Sequence, residues 1–476
     1  MYQLLYSTDG PMLLQHAATP AAFHNSNARF NPPRCHPNTR VALIQKIMDW
    51  LQNLDEASRG KVIMWLRGAA GAGKSAIAQS LAERLCAEGR LLAAFFFSRM
   101  DPDRCHARKL VATIAYQIYH TITAVQGPMG LAIERDPLIF TRNLFAQFEV
   151  LIIRPLGSLE TGFLHRLSLP RLIIIDGLDE CLDPMEQKEI LTTIAQIIQL
   201  SHLPMKFLIT SRPEHDICAT FMSDGVDAVS GLLDLDNSYF PRSDIEWYFH
   251  TEFDRIRRTH PFRHLIPSNW PSDRVVKQLA LKSSGQFIFA STVVKYVQSI
   301  RHLPHQRLEV VQNIRPPRSL EEHPFAMLDA LYAHILSNSA PENVPAILRV
   351  LCYVIRSNLS HDIMAVEYVE TILGLDPGDI NIIFCDLGSL VSIHESEQSG
   401  LKEITILHAT LQDYLFDPLR SRSFYISSDY VLDGVLSSVR FLSGSKSIHL
   451  LGCKQYLKYS SPTFKGQFSA TCYQRV

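Results

Sequence analysis

The segment Gly68-Ala69-Ala70-Gly71-Ala72-Gly73-Lys74-Ser75 constrains this chain more than any other stretch. It satisfies the pattern G-x-x-x-x-G-K-[ST] at every fixed position. An apolar run, Val62-Ile63-Met64-Trp65-Leu66, leads into it, and residues 75–86 have helical character. Strand, small-residue loop and helix in that order let successive backbone N–H groups curl around phosphate oxygens. The helix N-terminus adds a favourable partial charge. Gly68, Ala69, Ala70, Gly71, Ala72, Gly73 and Ala76 are thus candidate cradle residues. Lys74 is placed to reach the β- and γ-phosphates, and the Ser75 hydroxyl to sit on Mg²⁺. A strand-to-helix turn without a ligand is the plainer alternative, and the complete motif with correct flanks argues against it.

A second landmark is Leu172-Ile173-Ile174-Ile175 followed by Asp176-Gly177-Leu178-Asp179-Glu180. A carboxylate at the C-terminal end of a buried parallel strand faces the crevice where open α/β sheets bind ligands. Asp176 is placed to hold Mg²⁺, directly or through water. Asp179 and Glu180, one loop further on, are placed to orient or activate a water at the γ-phosphate. Cys181 reads as a packed thiol rather than a nucleophile. The strand over residues 205–210 ends in Ser211-Arg212-Pro213-Glu214, where proline stops the ladder. Arg212 then faces the same crevice. It binds phosphate oxygens there, or it pairs with a local acid such as Glu214.

The remaining patterning supports an α/β unit followed by helices. Residues 91–97 form an unbroken apolar strand, 108–121 and 144–156 read as helices, and 228–235 as a fifth strand. The lead-in, residues 40–54, has Val41, Ile44, Ile47, Met48 and Leu51 on one helical face. From Asp244 onward helical spacing dominates, through a linker at residues 301–320. Helices are predicted at 325–336, 344–355, 362–373 and 380–390, then strands at 391–394 and 403–407. Helix, helix, strand, loop, strand is a winged-helix outline. Its turn and second helix carry Asp376, Asp379 and Asp386 and no Arg or Lys, which opposes a DNA-phosphate surface. Residues 1–34 read as a weakly structured segment and linker, open to a role as effector remnant or docking peptide. Residues 427–476 read as an irregular tail.

Composition narrows the classes. A hydrophobic share of 46% with 20% charged residues is ordinary for a globular chain able to bury a core. A formal net charge of −1 gives no general attraction to nucleic acid or an anionic membrane. The nine cysteines include no Cys-x-x-Cys pair, against a zinc site or dense disulfide frame. Apolar runs such as residues 91–97 are too short to span a bilayer, and no signal-peptide pattern opens the chain. A cytoplasmic, reducing location follows as the expectation.

Taken together, Cys35-x-Pro37-x-Thr39-Arg40 with Trp50, the loop at 68–75, Phe95-Phe96-Phe97-Ser98-Arg99, Thr113 to Gln117, Asp176 to Glu180 and Thr210 to Pro213 resemble the fungal NACHT-type NTPases. These belong to the signal-transducing STAND class and often carry a nephrocystin-like N-terminal NTPase region. The resemblance runs over residues 35–426. It implies an α/β P-loop NTPase with a parallel sheet flanked by helices, then a helical domain and a winged-helix domain that clamps ADP. It maps the phosphate-loop pair onto Lys74 and Ser75, the acids onto Asp176, Asp179 and Glu180, and the sensor arginine onto Arg212. It also maps a β-phosphate-binding histidine onto His408. The family's Gly-x-Pro against adenine is replaced here by Gly285-Gln286-Phe287, so Phe287 packs on the base or fills the core. Its usual C-terminal repeats have no counterpart period in this sequence.

The expected order is an N-terminal segment (1–34), a lead-in helix (35–58), an NTPase domain (59–236), a helical domain and linker (237–320), a winged helix (321–426) and a tail (427–476). The expected function is an ATP/ADP- and Mg²⁺-dependent switch that self-associates and engages other signalling proteins, with neither nucleic acid nor membrane as partner. Slow hydrolysis would reset it. The alternative is a nucleotide-stabilised scaffold with negligible turnover.

Overall fold

The computed structural model describes residues 10–444, apart from 30–31, 100, 160–170, 202, 204, 236–240, 284, 299, 301, 313–324, 338, 358–364, 389, 396–400 and 407–409. The chain divides into two compact units, Met1–Tyr248 and Phe249–Val476.

The first unit is built on five parallel strands: β1 (Ile63–Arg67), β2 (Leu91–Phe96), β3 (Arg171–Asp176), β4 (Met205–Ser211) and β5 (Ser230–Asp234). Their order across the sheet is β2-β3-β4-β1-β5. Strands β1 to β4 are apolar almost throughout because both faces are covered. Along β3, Leu172 and Ile174 join Ile47, Trp50, Ile77 and Leu81 on one face. Ile173 and Ile175 join Trp65, Phe95, Ile114 and Ile194 on the other. Two helices on the first face matter for the site: α2 (Val41–Leu51) and α3 (Lys74–Ala87). In α3, Ile77, Ala78, Leu81, Ala82 and Leu85 are buried, a stripe recurring at three- and four-residue intervals.

The opposite face is covered by α4 (Leu110–Thr121) and by the helix Pro184–Leu200, among others. Strand β2 lies at an edge yet is buried along its length. The Gln117 amide of α4 accepts a hydrogen bond from the Ala94 N–H (3.0 Å) and donates to the Ala94 carbonyl (2.9 Å), standing in for a sixth strand. The helix expected at 144–156 is present, with a π-helical stretch over Glu149–Ile153.

The N-terminal segment departs from expectation. It contains α1 (Gly10–Ala17) and a 3₁₀ turn at Pro20–Ala22. Leu14 and Ala22 are fully buried in the same core as Phe95 and Ile114. The Thr19 N–H donates to Thr113 Oγ1 at 3.0 Å, and Phe23 stacks on Tyr116. The linker reading fails because eight helical residues and a proline turn carry too little local pattern to show what they pack against.

The second unit is mostly helical, as expected. The helix Pro241–Thr259 runs across the boundary. Asp273–Lys282 and Phe287–Val297 are separate helices, broken where Gly285 adopts φ +80°. The expected linker contains a helix, Pro304–Val311. Ala326–Ser337 and Val344–Ser357 follow, then Val366–Leu373 and Asp379–Ile383, the last shorter than predicted. Strands β6 (Val391–Glu395) and β7 (Lys402–Ile406) pair antiparallel. Arg420 forms a forked ion pair with Asp329 (Nη2 to Oδ1, 2.6 Å) and lies over the Phe325 ring. The tail expected from 427 begins instead as a helix, Ser428–Gly444, tied back by an Asp433–Arg349 ion pair. Among the described residues, no helix is long and apolar enough to cross a membrane.

Candidate nucleotide-binding site

The loop at 68–75 leaves the end of β1 and enters α3. Two of its glycines are sterically required. A Cβ on Gly68 would stand 2.9 Å from the Leu235 Cβ. Gly73 holds φ +97°, a left-handed conformation that side chains resist, and its carbonyl accepts the first α3 bond, from the Ile77 N–H (3.0 Å). The Lys74 ammonium donates to the carbonyls of Gly68 (2.6 Å) and Ala69 (2.9 Å), which keeps it curled over the loop. Ala70, Gly71, Ala72 and Ala76 complete the turn. The Ala72 carbonyl accepts a bond from buried Arg40 (Nη2, 2.9 Å). Arg40 is held by its own N–H bonding to Asp244 Oδ2 at 2.8 Å. Sequence reasoning gave Arg40 no site role; its position just ahead of α2 was the available signal.

One strand, β4, separates the loop-bearing strand from the strand that carries Asp176. The start of α3 bridges that gap, and the Ser75 hydroxyl acts on Asp176 to favour its ionised form. From β4, Thr210 Oγ1 donates to Asp176 Oδ1 (2.6 Å) and accepts the Gly177 N–H (3.0 Å). Burial pushes the Asp176 carboxyl above its ordinary range, against the opposing pull of the Thr210 and Ser75 hydroxyls. Thr210 is a second site residue whose contact with Asp176 no sequence motif announces.

Asp179 and Arg212 form a pair. Arg212 Nε lies 3.1 Å from Asp179 Oδ2, and the Arg212 N–H donates to Oδ1 at 3.0 Å. The carboxylate is 4% exposed. Arg212 thus takes a local acid, and that acid is Asp179 rather than Glu214. Glu180 is less enclosed and accepts a long bond from the Arg99 N–H (3.3 Å). Burial and the neighbouring Asp179 charge raise its pKa. The Cys181 thiol is pushed up to about 12 by burial and by Glu186, so it is no nucleophile.

The first unit therefore gathers Lys74, Ser75, Asp176, Asp179, Glu180 and Arg212 at the C-terminal ends of β1, β3 and β4. Phe287 opens a helix of the second unit and is half-buried. His408 lies outside the described residues. The donors beside Asp176 are oxygens, a hydroxyl and a carboxylate, which suit Mg²⁺; that ion keeps most of its shell from water and phosphate. No cluster of three or more His, Cys, Asp or Glu side chains able to hold a metal occurs among the described residues.

A family profile described as nephrocystin 3, N-terminal, matches residues 42–212. No curated protein matches the chain. Among solved structures, the Walker-type ATPase of Pyrococcus abyssi is similar over 83% of this chain and 99% of its own, at 12% identity and a TM-score of 0.50. The Aeropyrum pernix Orc1 protein, solved in complex with DNA, is similar over 82% of this chain and 95% of its own, at 15% identity and a TM-score of 0.34. The strand order, the phosphate loop and the Pyrococcus likeness together give this chain the fold of a P-loop NTPase.

Proposed function

We propose that the protein is a nucleotide-controlled switch of the NACHT type, binding ADP and ATP with Mg²⁺. The observation that carries the reading is a complete phosphate loop, its Lys74 ammonium curled over the loop carbonyls, beside a buried Asp176 held by Thr210 at the end of β3. Ser75 and Asp176 would hold Mg²⁺, which when bound neutralises charge on the β- and γ-phosphates. Lys74 would leave its loop carbonyls for those phosphates. A nucleotide shifts a conformational equilibrium only if it binds the two states with different affinity. In this reading, Arg212 facing the γ-phosphate and His408 facing the β-phosphate supply that difference, with Phe287 at the base. Residues 321–426 would form the winged helix, and the ATP state would self-associate in a cytoplasmic signalling role like that of the fungal proteins it resembles.

Hydrolysis would be slow. With both Asp179 oxygens engaged by Arg212, Glu180 is the better-placed base for an attacking water, its raised pKa suiting proton acceptance. The same enclosure of Asp179 favours a second reading, a nucleotide-stabilised scaffold with negligible turnover. Isothermal titration with ADP and ATP tests the first reading. Binding that is lost in Lys74→Ala supports it, and no binding by the wild type overturns it. Phosphate release that vanishes in Glu180→Gln counts against the scaffold.

A further inference from the structure

A stretch ahead of the phosphate loop is lashed to the phosphate-loop helix. Gln79 of α3, 1% exposed, donates to the His24 carbonyl at 2.9 Å. Its Oε1 accepts Arg29 Nη1 at 2.7 Å. One turn further along α3, Glu83 takes both a 2.8 Å and a 2.9 Å bond from Arg34 Nε, and Ser80 Oγ accepts the Cys35 N–H at 3.0 Å. The same Arg29 guanidinium stands 3.5 Å above the centre of the Phe96 ring, a cation–π arrangement.

These two anchors bring Arg29 to the neighbours of Ser75 and Asp176. Gln79 lies one helical turn after Ser75, on the same side of α3. Phe96 pairs in register with Asp176 across β2 and β3, so both side chains leave the same face of the sheet. Arg29 is therefore bracketed by the neighbours of both residues assigned to Mg²⁺. Its charge is felt there: it is the strongest cationic influence on Asp176, and Asp176 is the strongest charge acting on it.

We propose that Arg29 is a positioning residue of the nucleotide site, a cation supplied in cis that partly neutralises Asp176 and opposes Mg²⁺ there, so that the N-terminal segment sets how much metal the site demands. This rests on the nucleotide-and-Mg²⁺ reading above. A monovalent guanidinium beside the carboxylate repels the incoming dication, and the repulsion is strong where water is excluded. Releasing residues 23–29 from α3 would raise metal affinity without touching the phosphate loop itself.

The test uses the full chain and a fluorescent ADP, with nucleotide affinity followed across a Mg²⁺ titration. Arg29→Gln should lower the Mg²⁺ concentration at half-effect by about threefold or more. Arg29→Lys, which keeps the charge, should stay near the wild-type midpoint. Gln79→Ala, which cuts the tether but leaves the charge on the chain, should shift the midpoint in the same direction as Arg29→Gln. Circular dichroism checks folding. An unchanged or higher midpoint in folded Arg29→Gln overturns the proposal; if that variant does not fold, an unchanged midpoint in Gln79→Ala does so. Wild-type binding that ignores Mg²⁺ overturns this proposal alone, whereas no wild-type nucleotide binding overturns the switch reading with it.

Discussion

Thr210 Oγ1 donates to Asp176 Oδ1 at 2.6 Å while accepting the Gly177 N–H at 3.0 Å. One hydroxyl from β4 thereby fixes the carboxylate and the turn that follows it. Thr210→Val keeps the volume and removes both bonds, leaving a buried N–H and a buried carboxylate oxygen without them. The cost should be about 1–3 kcal/mol, read by urea denaturation, with weaker Mg²⁺-dependent ADP binding. Thr210→Ser should recover most of both. Equal stability of the valine variant would show that the hydroxyl bonds contribute nothing net.

The Asp179–Arg212 pair is a buried ion pair, its side chains 4% and 17% exposed. Arg212→Ala strands the carboxylate and should cost about 3–5 kcal/mol. Removing the charge as well, in Arg212→Ala with Asp179→Asn, should restore much of that loss. A double-mutant cycle with no coupling would contradict the pairing.

Asp176 carries a pH signature. Burial raises its folded pKa above the ordinary 3.8. The protonated form is thus the one favoured by folding. That contribution is fully present below the unfolded pKa and is lost as pH rises through the folded value. Asp176→Asn imitates the protonated form. Without nucleotide it should melt above the wild type at pH 7, with the gap closing as pH falls toward about 4. It should also lose the Mg²⁺-dependent part of nucleotide binding. A ligand-free Asn variant that melts below the wild type at pH 7 would refute the assignment.

Gln117 guards the β2 edge. Gln117→Leu would expose no new surface but would orphan the outward N–H and carbonyl of buried Ala94, costing about 1–3 kcal/mol. Gln117→Glu keeps one of the two bonds and should fall between. Chemical denaturation ranks the three proteins, and light scattering after partial unfolding should show the leucine variant aggregating first.

What could be read from the sequence was local. The phosphate loop at 68–75, the apolar strands and the acids after β3 each announce themselves within a few neighbours, because turn sterics and period-two burial act over short stretches. The P-loop sheet and its helical follower were legible on that ground. The N-terminal segment was not, because Leu14 and Ala22 acquire their burial from Phe95 and Ile114, far along the chain. Likewise the sequence shows the helix at Ser428–Gly444 only as a tail, since its anchor to Arg349 lies outside its own pattern.

Site chemistry divides in the same way. Lys74, Ser75 and Asp176 are candidates on their position in a motif alone. The partner of Arg212 and the bonds made by Thr210, Arg40 and Arg29 come from the fold. Inserting β4 between β1 and β3 sets Thr210 beside Asp176, and the tie of Arg29 to Gln79 of α3 brings its charge to bear on the same carboxylate. Sequence placed the groups that would meet phosphate; only the packing of distant segments in a low-dielectric crevice determined which charges and hydroxyls hold them.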